Sequence, residues 1–148
     1  MKKLLPILAA FVSVWCATGS QAEDAGWLTS LPKALAQAKA EKKYVLIDFT
    51  GSDWCPPCKA LHKNVLMNQE FTAYAQKHLV LMVADFPHNS PQPDALKKAN
   101  EALSQQFKIE GFPTVIILDS NGKQLSKDVG YGGMSAKDFV AKISKIAK

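Results

Sequence analysis

The chain has 148 residues, enough for one domain with a continuous core and few for two. With 47% hydrophobic and 21% charged residues it has the balance of a folded globular protein and lacks the polar bias of a disordered one. All 18 basic residues are lysine, so the formal charge of +5 comes without the guanidinium fork that base and phosphate recognition favours, which argues against a nucleic-acid partner.

The first segment has the pattern of an export signal. Lys2 and Lys3 precede an almost wholly apolar run, Leu4 to Ala17, and Ser20-Gln21-Ala22 offers small residues where a signal peptidase cuts. Residues 1–22 are therefore expected to be a cleaved secretory signal and residues 23–148 the single mature domain. A retained anchor is the alternative, but the apolar run is shorter than the ~20 residues a spanning helix needs, so no stable membrane insertion is expected after cleavage. Trp15 stands where a lipoprotein signal would need a small residue before Cys16, which argues against lipidation. Cleavage leaves 16 lysines against 13 acidic residues, a mild net charge of +3, and two of the three cysteines.

In the mature segment Ser30 is placed to cap a helix with Pro32 in its first turn and Leu31, Leu35 and Ala38 on one face, ending near Lys43. Tyr44 to Thr50 is short, apolar and β-branched, as in a strand buried on both faces. After Gly51-Ser52-Asp53, the prolines at 56 and 57 require a helix to begin at about Cys55, since a proline is tolerated only in the first turn; Leu61, Val65 and Leu66 then recur at helical spacing. A second helical stretch runs from Gln69 to His78 and gives way to a buried strand, Leu79 to Phe86. The loop from Pro87 to Pro93 carries three prolines, and Asp94 is placed to cap a helix carrying Leu96, Ala99, Leu103 and Phe107. Thr114 to Asp119, an Asn121-Gly122 turn and Lys123 to Val129 read as a β-hairpin. Ser135 with Asp138 resembles a capping box for a last helix whose Phe139, Val140 and Ile143 face inward. The order builds an α/β fold, one mixed sheet with helices on both faces, closed by a hairpin and a helix.

Two cysteines in an exported chain usually form a structural bridge. Cys55 and Cys58 are only three apart, and closing so small a loop removes little entropy from the unfolded chain, so the bond suits chemistry better than reinforcement. A strand ending before Cys55 and a helix starting on it place this sulfur where free N–H groups and the helix dipole favour a thiolate. Cys58, one turn on and more shielded, is suited to resolve the mixed disulfide that Cys55 forms with a substrate. Pro56 and Pro57 lack N–H groups, leaving the donors of Cys58 and Lys59 to the Cys55 sulfur. No histidine lies between the cysteines to add positive charge, so reductase or isomerase activity is favoured over donation of disulfides.

Other chemistries fit these residues less well. A c-type haem needs His immediately after Cys58, where Lys59 stands. A copper- or zinc-binding chaperone module could use the same two thiols with His62 four residues on, and this is the rival reading. A binding module with incidental thiols is a third. His88, in the proline-broken loop, is expected to be solvated and not catalytic.

The segments Val45-Leu-Ile-Asp-Phe49, Trp54-Cys-Pro-Pro-Cys-Lys59, Gly111-Phe-Pro-Thr114 and Val129-Gly-Tyr-Gly-Gly133 resemble the thioredoxin family, specifically its exported thioredoxin-like disulfide reductases, over nearly all of the mature chain. The resemblance implies a thioredoxin fold and a periplasmic or otherwise exported thiol–disulfide oxidoreductase that needs no cofactor. Its substrates would be proteins with thiols or disulfides; because soluble reductants are scarce in an oxidising compartment, a membrane electron carrier is expected to re-reduce it. By the same resemblance Pro113 is a cis-proline against the disulfide, Phe112 pairs its backbone with an extended substrate segment, and Thr114 opens the strand that follows. Asp48 is the buried acid that moves protons at Cys58, Trp54 covers the cysteine pair, and Lys59 modestly favours the thiolate. The family has three residues between Asp-Phe and Trp-Cys, whereas Thr50-Gly51-Ser52-Asp53 supplies four, which makes Asp53 a rival acid. Gly130, Gly132 and Gly133 permit close approach of a substrate backbone, with Tyr131 on the same edge.

Overall fold

The computed structural model describes residues 26–147; the signal segment expected at 1–22, with Cys16, lies outside the described residues. In chain order the elements are β1 (Trp27–Leu28), α1 (Leu31–Glu41), β2 (Tyr44–Thr50), α2 (Pro56–Leu61), a π-helical turn (His62–Leu66), α3 (Gln69–His78), β3 (Leu79–Asp85), α4 (Asp94–Gln106), β4 (Thr114–Leu118), β5 (Gln124–Val129) and α5 (Ala136–Ile143). The strands form one sheet in the order β1-β3-β2-β4-β5. The first three run parallel, β4 lies antiparallel to β2, and β5 antiparallel to β4. This is the thioredoxin fold.

Alternation along β2 divides the core. Val45, Ile47 and Phe49 join Val80, Met82, Ala84, Ile116 and Leu118 under α1 and α4, where Ala34, Ala38, Leu103 and Phe107 are buried. Leu46 joins Val115 and Ile117 on the opposite face, covered by Leu61, Val65, Leu66, Phe71, Phe139 and Ile143. With helices on both faces, β2 is buried on both, which is why it reads as a continuous apolar run. Asp48 and Thr50 share the face of Leu46, at the strand end that leads into Cys55.

Several local expectations are corrected. Ser30 occupies the N-cap of α1 without a side-chain capping bond, and the helix stops at Glu41 because Lys42 turns left-handed at φ 56° and the Lys43 N–H closes onto the Ala38 carbonyl at 2.8 Å. Its buried face is Ala34 and Ala38, with Leu31 and Leu35 only partly buried. Strand β3 ends at Asp85, one residue short of Phe86. Pro93, not Asp94, is the N-cap of α4 and makes no side-chain capping bond. Ala99 is exposed and Asn100 takes the inward place, because its side-chain amide donates to the Asp85 carbonyl at 2.9 Å. β5 begins at Gln124, after Lys123 has bonded to Asp119. At α5 the expected cap is present: the Ser135 hydroxyl accepts from the Asp138 N–H at 3.1 Å.

Two features have no counterpart in the sequence reading. β1 is a two-residue strand on the edge of β3, too short for periodicity to reveal. The helix after Cys58 widens into a π turn, in which the Met67 N–H reaches the His62 carbonyl at 2.9 Å, so that Leu61, Val65 and Leu66 are all buried.

Candidate active site

Cys55 is the N-cap of α2, and Pro56 and Pro57 fill the first turn, where their missing N–H groups leave no helical bond unmade. Its sulfur is bonded to that of Cys58 and accepts a hydrogen bond from the Cys58 N–H at 3.3 Å. The Lys59 N–H, expected to serve the same sulfur, instead bonds to the Cys55 carbonyl at 3.1 Å. The Lys59 ammonium donates to the Asp53 carbonyl at 2.9 Å. Cys55 and Cys58 are both buried, at 3% and 2% exposed.

The Phe112–Pro113 peptide bond is cis. β4 starts one residue later and pairs Thr114 with Phe49, which sets Pro113 at the end of the sheet where β2 runs into Cys55. Thr114 is fully buried and its hydroxyl donates to the Gly111 carbonyl at 2.7 Å, while the Pro113 carbonyl accepts from the Gly130 N–H at 2.8 Å. Gly130 and Gly133 both have φ of 82°, a conformation that glycine adopts without strain. The Tyr131 hydroxyl donates to the Met134 carbonyl, tying that turn to itself.

Asp48 and Asp53 lie in opposite environments. Asp48 is 4% exposed and its Oδ1 is buried without a hydrogen bond among the described residues. Burial, reinforced by the Asp85 charge, pushes its carboxyl up to about 7. Asp53 accepts backbone N–H bonds from His88 at 3.0 Å, Asn89 at 2.7 Å and Ser90 at 3.0 Å. These hold its carboxyl down at about 2, so Asp53 remains an anion and is unsuited to carry protons near neutrality. A cleft of about 250 Å³ connects Asp48 with Thr50, Ser52, His62 and Asp85. Asp85 accepts from both the backbone N–H and the hydroxyl of Ser52, at 2.9 and 2.6 Å. Sequence reading missed Asp85; a carboxylate closing an otherwise apolar strand was its one signal. Among the described residues no group of three or more histidine, cysteine or acidic side chains is placed to hold a metal ion. His62 opens onto the Asp48 cleft and does not join the two sulfurs in a ligand set.

The contacts of Trp54 lie toward the loop after β3. Its indole N–H donates to the Phe86 carbonyl at 2.8 Å, its ring stacks on His88 at 4.4 Å and 5°, and Phe112 meets it edge-on at 5.8 Å. A Cβ on Gly51 would overlap the indole, so a larger residue here would have to displace the Trp54 ring. His88 is exposed as expected, yet its ring is held against Trp54.

A cysteine pair at a helix start, a cis-proline entering β4 at the same end of the sheet, and a buried acid on the strand that leads to the cysteines, on this sheet order, define a thioredoxin-type site. The thioredoxin-like domain family matches residues 31–147, and the chain belongs to that family. It is 34% identical over 119 residues to the disulfide bond reductase DsbH of Chlamydia pneumoniae, a match covering 80% of this chain and 71% of that protein. The thioredoxin-related protein DsbJ of the same organism is 27% identical over 113 residues, and there the match covers 76% of this chain but only 32% of the relative. A solved structure of a DsbH oxidoreductase superimposes with a TM-score of 0.75 at 30% identity, covering 86% of this chain and 91% of that one. The chain is thus a thioredoxin-like thiol–disulfide oxidoreductase.

Proposed function

We propose that the protein reduces disulfides in exported proteins, with Cys55 as the attacking sulfur and Cys58 as the resolving one. The carrying observation is the position of Cys55: it caps α2, and the Cys58 N–H points at its sulfur. That donor and the helix dipole stabilise a thiolate there, although Pro56 and Pro57 withhold two further donors.

The reaction balances as an exchange of two electrons. The Cys55 thiolate attacks one sulfur of the substrate disulfide, forming a mixed disulfide and releasing the other substrate sulfur as a thiolate, which takes a proton from water. Cys58 then gives its proton to the Asp48 carboxylate, and its thiolate attacks the Cys55 sulfur. The second substrate sulfur leaves as a thiolate, which takes a proton from water, and the Cys55–Cys58 bridge closes. Asp48, held near 7 by burial, exchanges its proton with water through the cleft shared with His62. Among the described residues the Phe112 N–H and carbonyl are taken by no hydrogen bond within the chain, which leaves them to pair with an extended substrate segment beside cis-Pro113. Buried Thr114 fixes that turn through the Gly111 carbonyl, Trp54 supports its outer side through Phe112, and Lys59 braces the Asp53 backbone.

The DsbH and DsbJ relatives support substrates with thiols or disulfides, and the leader pattern at 1–22 supports a periplasmic or equivalent setting for the 23–148 domain. Among the described residues no helix is long and apolar enough to cross a membrane. Soluble reductants are scarce outside the cytosol, so a membrane electron-donor protein returns the pair to the dithiol. The test replaces Cys58 with Ala and isolates mixed disulfides on Cys55, beside an insulin-reduction assay of the unaltered protein. Trapped protein partners and insulin reduction are expected. Stoichiometric copper binding without exchange activity would support the metal-chaperone alternative instead.

A further inference from the structure

Asp53, in the turn between β2 and Cys55, reaches the loop that follows β3. Three consecutive backbone N–H groups, those of His88, Asn89 and Ser90, converge on its two carboxylate oxygens at 2.7 to 3.0 Å. The same loop is fastened a second time by the indole of Trp54, which bonds to the Phe86 carbonyl and stacks on the His88 ring. Pro87, Pro91 and Pro93 stiffen the segment between β3 and α4. Phe112, the residue before the cis-proline, packs against both Trp54 and Phe86, at 5.8 and 5.2 Å between ring centres. The result is a groove of about 530 Å³ lined by the aromatic rings of Trp54, Phe86 and Phe112 together with His88, Lys97 and Glu101. Trp54 directly precedes the attacking cysteine and Phe112 directly precedes Pro113, so two of the groove's walls are chain neighbours of the exchange site.

We propose that Asp53 is a positioning residue for protein substrates: by clamping residues 88–90 it holds the wall of a groove that receives the polypeptide flanking the substrate's reacting cysteine. This rests on the reductase reading above. Asp53 touches neither sulfur, and its carboxylate is spent on the loop, so its effect falls on docking and not on sulfur chemistry. A small aliphatic disulfide has no flanking chain to place in the groove and is indifferent to the clamp. A substrate with an apolar or aromatic residue beside its cysteine gains most from it.

The test compares the full chain with its Asp53→Ala and Asp53→Asn variants in dithiothreitol-driven insulin reduction, and in stopped-flow oxidation of the reduced protein by 2-hydroxyethyl disulfide. Asp53→Ala is expected to raise KM for insulin about fivefold or more with kcat changed less than about twofold, and to leave the small-disulfide rate within about twofold. Asp53→Asn, which keeps one accepting oxygen, is expected to shift KM in the same direction by less, and it serves alone if the alanine variant does not fold. Release of the loop is expected to alter Trp54 fluorescence in both variants, since the His88 ring leaves the indole. An unchanged KM for insulin alongside altered Trp54 emission overturns the proposal, because the loop is then free and docking does not notice. Parallel loss toward insulin and the small disulfide also overturns it, by placing Asp53 in the sulfur chemistry. Unaltered protein that reduces neither substrate removes the reductase reading, and this inference with it.

Discussion

Asp48 and Asp53 stand five residues apart, and their surroundings assign them different work. The buried Asp48 carboxyl titrates at about 7 against an ordinary 3.8, so the folded state holds its proton more tightly than the unfolded chain does. The sign follows: this group costs the fold nothing below about pH 4, and its burial becomes progressively destabilising as pH rises towards 7. Asp48→Asn is therefore expected to stabilise the protein above pH 7 by roughly 4 kcal/mol and to have little effect at pH 4, which denaturant titration at the two pH values checks. The same variant is expected to slow resolution of the mixed disulfide about 100-fold at pH 7 and to flatten its pH profile, seen by rapid mixing with a disulfide substrate. Asp85 and His62 line the same cleft as Asp48. For Trp54 the neighbouring glycine decides: Gly51→Ala forces the indole off its seat, and its fluorescence is expected to shift as the Phe86 bond is lost.

At the scale of elements, sequence patterning reveals most where burial is one-sided or complete. The apolar run of β2, the Asn121-Gly122 hairpin and the Ser135 cap of α5 all lie where the residues place them. Losing that cap is expected to cost about 1 kcal/mol, so Ser135→Ala should melt a few degrees lower in calorimetry with redox activity retained. Patterning fails where a polar group is drawn inward by a partner that is distant in sequence. Asn100 is 1% exposed because α4 packs against the end of β3, whose Asp85 carbonyl needs a donor. No local rule reveals that need, and Ala99 is the natural apolar choice for the helix face. Asn100→Ala leaves the carbonyl to Gln92 alone and is expected to cost about 1–2 kcal/mol in chemical denaturation. The π turn and the two-residue β1 escape prediction for a different reason, since each is defined by hydrogen bonds rather than by composition.

Across the whole molecule the parallel strands bring their carboxyl ends to one edge, and the turn leaving β2 delivers Cys55 there, with cis-Pro113 arriving from β4. The cysteines were legible from their residue types and spacing, and the cis-proline from the family resemblance of Gly111-Phe-Pro-Thr114. The clamp of Asp53 on residues 88–90 was not, because its partners are backbone groups 35 to 37 residues away. The proposed reductive cycle depends on α2 presenting Cys55 as an anion. The most direct measurement is the ultraviolet absorbance of the thiolate during pH titration of the reduced Cys58→Ala variant. Ionisation of Cys55 well below the ~8.5 of a free thiol is expected; a midpoint at or above that value would contradict the role assigned to the helix start.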